Sequence, residues 1–255
     1  MRAWASATFF AVFLIFRLSL AGALEVPEAV YPPIAKSAPS AQGFVPQGWR
    51  IDTQAEGDLN GDGLPDLLLV LQQDDPANIV ANDPESFGVQ TLDTNPRILA
   101  VAFAREKGDY LLVLENHTFI PRYETPTTDD PFGHAGIADG AIRVGLHFWA
   151  NAGTWYTNDS TFILKYRDRA FRVAGFEEYT TRRNTGETWD LKVDYLAGKA
   201  EITLGNFSDN GSEDRTYQKP LPQSPLPTIQ EIGSGWDFHA EEEDLSWWGL
   251  GETGD

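Results

Sequence analysis

The sequence predicts an all-β protein built mainly from antiparallel strands, and three observations carry that reading. Residues 67–71, 98–104 and 110–114 are short apolar runs, the pattern of strands buried on both faces. Between residues 141 and 204 apolar and polar side chains alternate with period 2, the pattern of a sheet that is wet on one side. No stretch carries the i, i+3, i+4, i+7 stripe of an amphipathic helix. Short strands with turns between them fit an antiparallel meander or sandwich and a partial β-propeller-like sheet equally well.

In chain order, Arg2, the unbroken apolar run Phe9–Phe16 and the small-residue triplet Ala21-Gly22-Ala23 predict an export signal over residues 1–23, cleaved before Leu24. That run is well short of the ~20 residues that span a bilayer. No later stretch is long and apolar enough to span, so the remaining chain is expected to have no transmembrane segment. Residues 24–47 carry five prolines and read as an irregular lead-in to a β domain over residues 48–205. Trp49-Arg50-Ile51-Asp52 opens the first strand, and Lys107-Gly108-Asp109 supplies a hairpin turn between two of the apolar runs. In the alternating region Ile142, Val144, Leu146 and Phe148 share one face. Trp189, Leu191, Val193 and Tyr195 share another. Turns at Asn151-Ala152-Gly153, Arg167-Asp168-Arg169, Asn184-Thr185-Gly186 and Ala197-Gly198-Lys199 separate these strands. Residues 72–96 and 117–140 read as long loops, which in compact domains are often functional. Residues 206–255 read as an extended acidic tail in which Trp247-Trp248 could dock back on the body.

Charge and cysteine content narrow the partners. The formal net charge is −19, and loss of Arg2 and Arg17 with the export signal makes the rest more negative. Such a chain is repelled by phosphate backbones, so nucleic acid is not an expected partner. At 42% hydrophobic and 12% aromatic it is nonetheless too apolar to be disordered. Export without a single cysteine points to the bacterial periplasm or a secreted protein, with no lipid anchor and no thiolate chemistry.

The sharpest chemical signal is Asp58-Leu59-Asn60-Gly61-Asp62-Gly63-Leu64-Pro65-Asp66. Asp58, Asn60, Asp62 and Asp66 place oxygen-bearing side chains at relative positions 1, 3, 5 and 9, which suits the 6–8 oxygen ligands of Ca2+. Gly63 allows the sharp bend, and the Leu64 carbonyl is a further oxygen donor. An EF-hand would carry Glu at relative position 12, where Leu69 stands, and would have helical flanks. The same residues also read as an acidic turn without metal. The stretch Gly57–Leu71 resembles the calcium-binding cage of FG-GAP and VCBS-type repeats, the units of integrin-α-like propellers. That resemblance implies a structural Ca2+ held by Asp58, Asn60, Asp62 and Asp66. It covers about 20 residues and departs from the pattern in occurring once, since Asp209-Asn210-Gly211-Ser212-Glu213-Asp214 fails the spacing.

Signatures of nucleophile elbows, zinc proteases and phosphate-binding loops are missing, so the sequence favours a non-enzymatic protein and names no catalytic residue. Trp149, Trp155 and Tyr156 flank one turn and could face a glycan; the plainer expectation is that they pack under a long loop or against the C-terminal tail. His134, in the Asp-Pro-Phe-Gly-His segment, is a further ligand-binding residue to test, and Trp189 follows the buried alternation. Two functional expectations follow. One is a calcium-stabilised interaction or scaffold module of the bacterial envelope, with a protein partner. The other is a calcium-dependent carbohydrate-binding protein, with a link to glycan hydrolysis as its extension.

Overall fold

The apolar run at residues 67–71 is the inner strand of the first of two main sheets. The computed structural model describes residues 24–208, 213–222, 224–240, 243 and 245–250; the expected export signal and the segment Asp209–Ser212 lie outside them. The strands are β1 (Ser37–Ala38), β2 (Trp49–Gly57), β3 (Asp66–Gln73), β4 (Ile79–Ala81), β5 (Thr91–Asp93), β6 (Arg97–Ala104) and β7 (Tyr110–Asn116). They continue with β8 (Phe132–Ala138), β9 (Ala141–Phe148), β10 (Tyr156–Arg167), β11 (Ala170–Arg182), β12 (Glu187–Asp194), β13 (Lys199–Asn206) and β14 (Arg215–Pro220). The protein is all-β and its strand pairs are antiparallel.

The first sheet has the order β1-β7-β6-β3-β2. Leu67 to Leu71 of β3 are all buried, as are Ile98 to Ala102 of β6, because both faces of this sheet are covered. Leu68, Val70, Leu99 and Val101 point into a core shared with the second sheet. Leu67, Leu69, Leu71, Ile98 and Ala100 pack on the other side against Ile34, Ala38, Phe44 and Trp49. The lead-in that looks irregular in sequence is thus a lid on the sheet. Each buried Leu or Ile contributes roughly 1.5–3 kcal/mol relative to exposure.

The second sheet is a seven-stranded meander, β14-β13-β12-β11-β10-β9-β8, curled into a half-barrel. Its inner face supplies Ile142, Val144, Phe162, Phe176, Leu191 and Val193 to the shared core. Among the described residues, two main sheets enclosing one core make a sandwich. A register shift between Ile163 and Leu164 bends β10 against β11. The Arg97 side chain, 8% exposed, ties the sheets together through Asp52 at 2.9 Å and both oxygens of Asp130 at 2.8 Å.

Three expectations are corrected. Residues 72–96 are not one loop, because β4 and β5 form a small hairpin there. Residues 117–140 are not one loop either. Residues 132–138 form β8, whose glycines and weak alternation hide it in sequence. The sheet also continues past residue 205. β14 joins β13, and the described residues between Thr228 and Leu250 fold back over the inner face of the half-barrel rather than trailing away. Trp248 and Ala240 are buried there, and the Lys219 ammonium donates to the Trp247 carbonyl and lies over the Trp247 ring. The remaining acids Glu241, Glu242 and Asp244 lie outside the described residues.

Candidate functional site

The Asp58–Pro65 segment is the turn of the β2–β3 hairpin, and Asp66 opens β3 opposite Gly57. Asp66 is 0% exposed, and its two carboxylate oxygens accept from Leu59 N–H at 2.9 Å and Ala104 N–H at 2.8 Å. It therefore clamps the turn to the end of β6. Burial pushes its pKa above the ordinary carboxylate value, and the charges of Asp62 and Asp58 add to this. The Leu59 and Ala104 N–H groups oppose it.

In front of that clamp, Asp58 accepts from Gly61 N–H at 2.7 Å and Gly63 N–H at 2.9 Å. These bonds, the one from Gly63 first, hold the Asp58 carboxyl below its usual range. Gly61 and Gly63 take φ of 84° and 85°, which is why both positions are glycine. Asn60 Oδ1 accepts from Asp62 N–H at 2.9 Å and Asp62 Oδ1 accepts from Leu64 N–H at 2.8 Å. The donor set is oxygen only, and each oxygen so bonded keeps a second lone pair that a hard cation can use. Among the described residues no group of three or more His, Asp or Glu side chains converges as a metal site. The chemistry of the donors fits calcium; the side chains point largely at their own loop.

The aromatic residues lie at the opposite end of the sandwich. β3 runs eight residues away from the Asp58 turn, roughly 26 Å at about 3.3 Å per residue. There Val89 N–H bonds Pro126 O at 2.8 Å, Asn151 N–H bonds Thr127 O at 2.9 Å, and Arg183 donates to Ala150 O and to Thr154 O. The β4–β5 hairpin, residues 125–130 and the 149–155 turn are thereby interlocked. This end exposes Phe87 (83%), Val89 (41%) and Trp155 (61%). Trp149 is half-buried with Arg183 5.0 Å over its ring. Tyr156, 44% exposed, turns to the inner face of the half-barrel and meets Trp189 at 6.2 Å. His134 stands apart, on the outer face of β8 against the Gly145 backbone. Trp149, Trp155, Tyr156 and His134 thus look in different directions and do not line one groove.

A third locus was not foreseen. Glu178 of β11 sits on the inner face, accepting from Asn158 Nδ2 at 3.2 Å and from the Thr180 hydroxyl at 3.0 Å. Facing it from the folded-back tail is Glu243, whose carboxylate accepts from Ala240 N–H at 2.8 Å and lies 3.6 Å from His239 Nδ1. The two carboxyls line a cavity of about 330 Å³ together with Tyr156, Trp189, Leu191 and Leu245. Burial pushes Glu178 up to about 7, Glu243 adds to the rise, and Thr180 and His239 oppose it. Glu243 is also raised by burial, against the Ala240 N–H and His239.

Comparison with known proteins gives no match: no family model, no curated protein and no solved structure is similar to this chain. Among the described residues no helix is long and apolar enough to cross a membrane.

Proposed function

We propose that the protein is an exported, non-catalytic β-sandwich of the bacterial envelope, an interaction or scaffold module stabilised by calcium at its Asp58 hairpin. The observation that carries the interaction reading is the loop end opposite that hairpin. Interlocked backbone there holds Phe87, Val89 and Trp155 out in water, an arrangement that costs free energy unless a partner covers it. Calcium binds the Asp58, Asn60 and Asp62 oxygens, with Leu64 O and the buried Asp66 behind them, and acts on stability rather than on the partner. The loop's likeness to FG-GAP and VCBS-type cages supports this division.

The test combines two measurements. Calcium should raise the melting temperature and a chelator lower it, while Phe87→Ser with Trp155→Ser should leave the melt unchanged and abolish capture of a partner from envelope extracts. Identical melts with calcium and chelator would remove calcium from the proposal. Partner capture indifferent to the double substitution would remove the loop end. A second reading, a calcium-dependent glycan binder, draws on the exposure of the Trp155 ring. A glycan array read with and without calcium separates the two.

A further inference from the structure

The inner face of the half-barrel changes character along its length. Toward the Asp58 end it is apolar, with Phe162, Phe176 and Val193 packed against the first sheet. Toward the loop end the same face presents Tyr156, Asn158, Glu178, Thr180 and Trp189 around an open space of about 330 Å³. The folded-back tail closes one side of that space with Glu243 and Leu245. A neighbouring cleft of about 270 Å³ shares Trp189 and Leu245 with it and carries Glu187, Glu213 and Arg215.

Two features restrict what would fill the space. Its charged handles are of one sign: beside the neutral Tyr156, Asn158 and Thr180 stand Glu178 from the sheet and Glu243 from the tail, and burial penalises the charge on both. Among the described residues no Lys or Arg forms an ion pair with either carboxyl. Arg182 is engaged with Glu187 at 3.4 Å and lies 5.8 Å over Tyr156, and His239 is 79% exposed beside Glu243. The other walls, Trp189, Leu191, Ile202 and Leu245, are hydrocarbon or aromatic. A glycan would leave many hydroxyls unpaired against such walls. An ammonium group on a short hydrocarbon stem matches both halves: three N–H donors for the two carboxylates, and a stem for the apolar and aromatic sides.

We propose that this cavity is a binding site for a small primary alkylammonium ion, held between Glu178 and Glu243 with its stem against Trp189 and Leu191. The site is independent of calcium at the Asp58 hairpin. The ammonium supplies the positive charge that favours the ionised form of Glu178, whose pKa burial pushes up to about 7, so its binding displaces a proton near pH 7. The groups around Glu178 are Tyr156 and Asn158 from β10, Thr180 on its own strand, Trp189 and Leu191 from β12, and Glu243 with His239 from the tail. Of these, Tyr156, Glu243 and His239 are the other titratable groups.

The experiment is isothermal titration of the full chain with n-butylammonium chloride, and with n-butanol as the neutral isostere, at pH 7 in two buffers of different ionisation enthalpy. The expected result is saturable 1:1 binding of n-butylammonium, proton release, and little heat with n-butanol. Glu178→Gln should weaken binding by about tenfold or more, as should Glu243→Gln on the opposite wall. Melting curves of both variants check that they fold. Binding of n-butanol as tightly as n-butylammonium would overturn the proposal, as would folded variants that bind like the wild type. Absence of saturable binding by n-butylammonium would overturn it outright. None of these results depends on calcium, so the calcium reading stands or falls separately.

Discussion

Replacing Glu178 by Gln should stabilise the protein in alkaline solution and do little in acid. Burial and Glu243 raise the Glu178 carboxyl from 4.5 to about 7, so the folded state holds this proton more tightly than the unfolded chain does. Between pH 4.5 and 7 the folded protein therefore binds more protons, and stability falls as pH rises through that window. The rise from 4.5 to about 7, at ~1.4 kcal/mol per pH unit, sets an upper bound of roughly 3 kcal/mol. Because the side chain is half-buried, about 2 kcal/mol is the better figure. Gln keeps an acceptor for the Thr180 hydroxyl, and Asn158 can flip to meet the new amide, so the hydrogen bonds survive while the charge does not. For a domain of this size the difference is about 4–8 °C in Tm. Urea denaturation of wild type and Glu178→Gln at pH 5 and pH 8 measures it directly. Parallel stability curves at the two pH values would refute the assignment of a raised pKa to Glu178, and with it the claim that the cavity is dry enough to penalise the charge.

Four further outcomes are expected. Asp62→Ala should lose the calcium-dependent rise in melting temperature, on the order of 2.7 kcal/mol at free calcium about 100-fold above Kd, and behave like chelated wild type. Asp66→Asn sets an NH2 group against the Leu59 or Ala104 N–H and should cost about 1–3 kcal/mol in urea, with or without calcium. Gly88→Ala places a Cβ into the Pro126 carbonyl at a φ of 103°, so limited proteolysis should cut the β4–β5 hairpin faster while the cooperative melt persists. Trp248→Ala removes the buried anchor of the tail and should cost about 3 kcal/mol by denaturant titration.

The sheets were legible in the sequence because two-sided burial leaves a mark: Leu67–Leu71 and Ile98–Ala102 have no polar residue to give to a wet face. What covers them was not legible. Tyr31, Ile34, Ala38 and Phe44 pack on the first sheet from irregular chain, where no period marks an inward face. The Asp58 spacing was legible as chemistry, whereas the role of Asp66 as a clamp on Ala104 depends on a contact 38 residues away. The aromatic residues were visible individually, but their directions follow from where β9 ends and β10 begins. Trp189 keeps its expected inward direction, yet it lines the cavity instead of being sealed into the core.

Glu178 escaped for a specific reason. In β11 the inward residues Phe171 and Val173 are odd-numbered, and alternation continued from them would turn Glu177 inward and Glu178 out. The bulge opposite Ile163–Leu164 pairs Val173 with Leu164 and Gly175 with Ile163, adding one residue and reversing the parity, so that Phe176, Glu178 and Thr180 face in. Without the bulge Glu178 would share the outer face with Arg143, which instead pairs with Glu177 at 3.3 Å. The bulge alone would only expose an acid to water on the open side of a half-barrel. The tail, carrying Glu243 and Leu245, turns that open face into a walled cavity, and desolvation of Glu178 requires both. One extra residue in β11 and one folded-back segment much later in the sequence thus produce a single site. This explains why neither stretch, read by itself, points to it.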